Sequence, residues 1–196
     1  MTSKMTSRVA TLGLAVGALA LAGSGALAAS KDVLALRAFG IDMSSGARTR
    51  TRSYDIAIER WSTDAEAQKL RDVLSEKGQD ALLSAVQHLK PRVGYIRTST
   101  SVGWDIRFAR ETVGKDGTRR IVIATDRPLS FWEAANRPRS ADYAFTLAEI
   151  HVRPDGKGEG KLVPAAKIDF DKETNTLEIE NYDTEPVRLT EVTVEK

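Results

Sequence analysis

Apolar residues fall into three regimes along this chain. From Val9 to Ala22 they run almost without a break. From Tyr54 to Leu89 they recur first every second residue and then at helical spacing. From Val93 to Val194 they alternate with polar residues in short runs separated by turn residues.

The first regime reads as an export signal spanning residues 1–28. Lys4 and Arg8 make a basic start, the apolar run follows, and Gly23-Ser24-Gly25 breaks it. Ala26-Leu27-Ala28 then supplies a small-x-small cleavage site. The run is shorter than the roughly 18–20 residues of a spanning helix, which argues against an uncleaved anchor. No Arg pair precedes it, so the general secretory route is expected rather than the twin-arginine route. The expected setting is a bacterial periplasm or the exterior of the cell.

Residues 29–52 read as a flexible N-terminal segment with a possible first strand over Val33 to Ile41. Ser44 to Arg52 is polar and carries three Arg, the pattern of a loop. Tyr54, Ile56 and Ile58 then alternate with Asp55, Ala57 and Glu59, the period of a half-buried strand. A helix is predicted next, near 63–77. Thr63 and Glu66 form a capping box, Ala67, Leu70, Val73 and Leu74 share a face, and Gly78 stops it. Asp80 is positioned to cap a second helix near 80–89, with Leu82, Leu83, Val86 and Leu89 inward and Lys90-Pro91 at its end.

The third regime predicts strands over Val93 to Thr98, Trp104 to Thr112, Arg119 to Thr125, Tyr143 to Arg153, Lys161 to Phe170, Thr176 to Tyr182 and Pro186 to Val194. Asp116-Gly117 and Asp155-Gly156 are hairpin turns. In the last run Val187 and Leu189 share one parity and Val192 and Val194 the other, so a bulge is predicted near Thr190-Glu191. Short turns imply antiparallel pairing. The predicted fold is α+β, mainly β: an antiparallel sheet of seven or eight strands over residues 53–196, with an inserted helical hairpin. Such a sheet curls into a barrel or splits into a sandwich.

Composition narrows the chemistry. Of 29 Lys and Arg residues two lie in the signal, so cleavage leaves 27 against 27 Asp and Glu. A balanced chain gives no reason to expect nucleic acid, or a membrane after cleavage, as a partner. With no Cys, an exported protein has no disulfides, and thiol catalysis, Cys-ligated zinc and iron–sulfur clusters are excluded. No glycine-rich nucleotide motif, Gly-x-Ser-x-Gly elbow or His-x-x-x-His pair occurs, and no cofactor is implied.

The long connection from Asp126 to Asp142 is the first candidate site. Arg127, Arg137 and Arg139 can bind a carboxylate or phosphate, with Trp132 as an apolar wall. Glu133 and Asp142 are the weak catalytic candidates of a hydrolase reading. The simpler alternative is a crossover whose Arg residues pair with Asp126, Glu133 or Asp142. Asp169, Asp171, Glu173, Asn175 and Glu180 partly match a calcium loop, but Thr174 stands where that loop needs Gly, and a charged hairpin explains them as well. His88 and His151 are the two histidines. Trp104, Ile106 and Phe108 alternate as core, or as the lining of a cavity if the sheet closes.

Four segments, Arg60 to Asp64, Val93 to Thr98, Ala124 to Pro128 and Arg137 to Ser140, resemble those of a family of exported bacterial proteins with no assigned function. The likeness runs from about Tyr54 to Val192. It implies a shared fold and an extracytoplasmic setting, and brings no activity or catalytic residue. The expected function is a non-enzymatic domain that binds a small molecule or an envelope protein. The alternatives are a periplasmic hydrolase and a structural envelope protein.

Overall fold

In a computed structural model of the chain, the described residues are 34–43, 49–129, 142–182 and 185–195. The expected signal segment lies outside them. Among the described residues no helix is long and apolar enough to cross a membrane.

Nine strands and two helices follow in order: β1 (Leu34–Asp42), β2 (Arg50–Ile58), α1 (Asp64–Lys77), α2 (Gln79–Gln87), β3 (Gly94–Thr98), β4 (Trp104–Val113), β5 (Arg119–Thr125), β6 (Phe145–Val152), β7 (Lys157–Asp171), β8 (Thr176–Asn181) and β9 (Val187–Glu195). Arg50 to Arg52, inside the run that reads as a loop, already pair with β1. The sheet order is β6-β5-β4-β3-β2-β1-β9-β7, and β7 pairs back onto β6. Eight antiparallel strands therefore close into a barrel, which decides between barrel and sandwich. The ninth, β8, pairs only with the far half of β7, from Ala166 to Asp171.

Closure depends on glycine. A Cβ on Gly158 would stand 2.0 Å from the His151 carbonyl oxygen, and one on Gly160 2.5 Å from that of Glu149. Only bare backbone lets β7 approach β6 this closely. The predicted bulge in β9 is present. Glu191 adopts φ 50°, so Leu189 and Val192, three apart, are both fully buried.

Eight strands leave an interior that side chains fill. Leu36, Ile56, Ile58, Ile96, Ile106, Ile121, Ile150, Leu162 and Leu189 do so, each at most 1% exposed. Leu129 closes one end, tied by two buried threonines. Its N–H donates to Thr146 Oγ1 at 2.7 Å, and that hydroxyl donates to the Pro164 carbonyl at 2.7 Å. Thr125 Oγ1 in turn accepts the Thr146 N–H at 3.2 Å. The cavity beside Tyr54 and Leu129 at this end measures only about 10 Å³, room for about one water.

Two expectations are corrected here. Trp104, Ile106 and Phe108 do not share a face. The β4–β5 register shifts between Ile106 and Phe108, so Ile106 and Ala109 point inward and Phe108 turns out toward the helices. Nor does Asp80 cap α2: Gly78 occupies the cap with no side-chain bond, and Asp80 lies in the first turn. The capping box of α1 is present, with Glu66 N–H on Thr63 Oγ1 and Thr63 N–H on Glu66 Oε2.

The helical hairpin packs outside the barrel. Leu70, Leu74, Leu82 and Val86 meet Phe145, Val163, Ala166 and Ile168 in a second apolar cluster. Ser62 anchors the approach. Its N–H donates to the Ala109 carbonyl at 2.8 Å and its Oγ accepts the Ala109 N–H at 3.1 Å, so it stands where a strand beside β4 would continue. Gln79 fastens the other side, accepting the Ile168 N–H at 2.7 Å and donating to the Asp142 carbonyl at 2.7 Å.

Candidate ligand groove

Of the residues singled out in the long connection, Trp132, Glu133, Arg137 and Arg139 lie outside the described residues. The Arg127 carbonyl accepts from the Thr125 hydroxyl, which makes its backbone part of the barrel-end bolt. Asp142 is exposed where the chain enters β6. Asp126 accepts from Arg107 Nε at 3.0 Å.

The acidic residues of the β7–β8 hairpin do separate jobs. Asp171 accepts from the N–H groups of Glu173 and Thr174 and from the Thr174 hydroxyl, which hold its carboxyl below the usual range and stabilise the turn. Asp169 accepts its neighbour's N–H at Phe170. Glu180 accepts from the Tyr143 hydroxyl at 2.6 Å, and that bond pushes the phenol up to about 12. Among the described residues no group of three His, Asp or Glu is placed to hold a metal. His88 lies against its own helix, 2.6 Å from the Ser84 carbonyl.

A large cavity lies outside the barrel, between the helical hairpin and the outer wall. Its volume is about 1030 Å³, at the top of the roughly 300–1,000 Å³ typical of small-molecule sites. Leu70, Leu74, Leu82 and Val86 form the helical side. Phe108, Val122, Ala124, Leu147 and Val163 form the floor, and Leu177 and Ile179 of β8 close one flank.

Strand register gives the floor a gradient. On the outer faces of β5, β6 and β7, Ala124 lies opposite Leu147 and Leu147 opposite Val163. Two residues along, the row is Val122, Glu149 and Lys161, and Arg188 of β9 continues it beside Lys161. The next row is Arg120, His151 and Glu159. The groove is thus apolar under the helices and charged at its mouth.

At the mouth Glu149 is fully engaged. Its Oε2 accepts from Arg120 Nη2 at 2.8 Å, and its Oε1 lies 2.7 Å from His151 Nε2. The Arg120 bond, chiefly, holds the Glu149 carboxyl below its usual value. Of the groove residues, the sequence drew attention to the helix positions, Phe108 and His151 alone. A usable signal was present: Val122, Ala124, Leu147 and Val163 occupy the outward parity of their strands, where water-facing walls are polar.

Compared with known proteins, the chain matches no family model, no curated protein and no solved structure, so the segments that resemble exported bacterial proteins carry no family assignment.

Proposed function

We propose that this protein is an exported, non-catalytic binding domain that takes a small, largely apolar molecule in the groove between its helical hairpin and the outer wall of the barrel. One observation carries the reading: an apolar floor, from Phe108 to Val163, lies on the outside of a barrel whose interior is already filled. The helical hairpin seats on part of that outer surface, against Phe145, Val163, Ala166 and Ile168, and Val122 and Ala124 extend the apolar floor beyond that cluster. A concave apolar surface with a few polar groups at one end is the usual form of a small-molecule site. The extracytoplasmic part of the reading rests on the export signal expected over residues 1–28.

Titration with the neutral, environment-sensitive dye N-phenyl-1-naphthylamine tests the reading on protein purified from a bacterial periplasm. The expected result is a saturable fluorescence rise that Val122→Arg abolishes while the melting temperature holds. Val122 is half-buried on the outer wall, so an Arg there fills the floor without entering the core. An equal rise in the variant, or none in the parent, overturns it. The mass of the same sample tests export, with a chain beginning at Ala29 as the expected result.

A further inference from the structure

The mouth of the groove holds two cations that face each other. Lys161 of β7 and Arg188 of β9 are directly opposed in the antiparallel register, both exposed. Like charges in that relation repel and destabilise a strand pair. Their other neighbour across the sheet, Glu149, is opposite Lys161 on β6, yet both its oxygens are engaged by Arg120 and His151. Glu159, two residues from Lys161 on its own strand, and Glu185, just before β9, also line the groove. Neither reaches ion-pair distance of Lys161 or Arg188, and among the described residues these two cations have no partner. Arg71, from α1, adds a further cation to the lining.

We propose that the ligand of this groove is an anionic amphiphile: a single apolar chain lying along Val122, Leu147 and Val163, with a carboxylate head held between Lys161 and Arg188. The inference rests on the groove reading and narrows it to a ligand class. It assigns the apolar floor and the unpaired cations to one molecule. A carboxylate between the pair replaces their repulsion with two charge-assisted hydrogen bonds, while the tail leaves water against the floor. A neutral apolar ligand would leave the repulsion unrelieved, and a cationic one would add to it.

Calorimetric titration of the mature chain with decanoate and with decyltrimethylammonium, both below their micelle concentrations, separates the outcomes. The two probes share a tail and differ in head charge. Decanoate is expected to bind roughly tenfold or more tightly than the cation, the worth of one or two charge-assisted bonds at an exposed mouth. In the double variant Lys161→Gln, Arg188→Gln that preference is expected to vanish, with decanoate bound more weakly and the cation at least as tightly as by the parent chain. Equal binding of the two probes to the parent chain, or decanoate affinity unchanged in the double variant, overturns the head-group assignment while the groove reading stands. Binding of neither probe, together with no dye response, overturns both.

Discussion

Arg60 and Glu66 meet in a two-bond fork, Nη1 to Oε2 and Nη2 to Oε1, each at 2.9 Å. Glu66 is also the third residue of α1 whose carboxylate accepts the Thr63 N–H. Arg60 donates further to the carbonyls of Trp61 and Pro91. One ion pair thus fixes the end of β2, the start of α1 and the chain returning to β3. The helical wall of the groove is set on the barrel through it.

Glu66 makes this joint acid-sensitive. The Arg60 fork, above all, holds its carboxyl below the usual glutamate value. A depressed folded-state pKa contributes stability above the unfolded value of about 4.3 that is lost as pH falls through the folded value. Glu66→Gln is expected to flatten the dependence of melting temperature on pH below about 4.3. At neutral pH it should cost about 1.5–3 kcal/mol, the range for a hydrogen bond to a charged group. An unchanged acid limb in urea-unfolding curves would show that other carboxylates set it.

Glycine at two nearby positions serves different ends, and alanine separates them. At Gly156 the turn needs φ 80°, and a Cβ there meets nothing closer than 3.8 Å. At Gly158 the obstacle is the His151 carbonyl at 2.0 Å. Gly156→Ala should cost about 1–2 kcal/mol of conformational strain. Gly158→Ala should cost about 3 kcal/mol or more, the upper end for overpacking, because the seam that closes the barrel must open. Amide exchange locates the difference: β6 and β7 should lose protection in Gly158→Ala only.

Local chemistry was legible in the sequence and long-range geometry was not. The Thr63-Glu66 box, the Asp116-Gly117 turn and the β9 bulge each depend on residues a few positions apart. Closure requires β9 to pair with β7, past β8, and with β1, and the β1–β9 pairing joins residues more than 150 positions apart at Phe39 and Thr190. Alternation over Trp104, Ile106 and Phe108 misassigned one face because the bulge follows from where β5 stands and leaves no mark in the pattern itself. The groove is assembled from both helices and several strands, so no single segment of the sequence carries it. Its one trace was apolar residues on outward-facing parity.

Thr146 ties the barrel end together, and a valine of nearly its shape tests the bond alone. The hydroxyl accepts from the Leu129 N–H and donates to the Pro164 carbonyl, and Thr146 is 2% exposed. Valine leaves that carbonyl without the hydroxyl and the amide with only its longer contact to Pro164, at 3.1 Å. Thr146→Val is expected to cost about 1–3 kcal/mol of unfolding free energy in urea titration and to speed amide exchange at Leu129. If exchange there is unchanged, the direct Leu129–Pro164 bond holds the end by itself.

The opposite pH limb belongs to Tyr54. Its ring lies over Gly40, where an added Cβ would stand 2.5 Å from Cε2, and it is 3% exposed. Burial pushes its phenol up to about 12. The raised folded-state value stabilises the protein below the unfolded value of about 10. That stability is lost as pH climbs from about 10 through about 12. Near-ultraviolet absorbance should show two late-titrating phenols in the parent chain, Tyr54 and Tyr143. Tyr54→Phe should remove one of them and slow alkaline unfolding. Glu180→Gln should move the other down, because Tyr143 owes its shift first to the Glu180 bond. A Tyr54→Phe variant that unfolds in base as fast as its parent would place the alkaline weak point outside the barrel end.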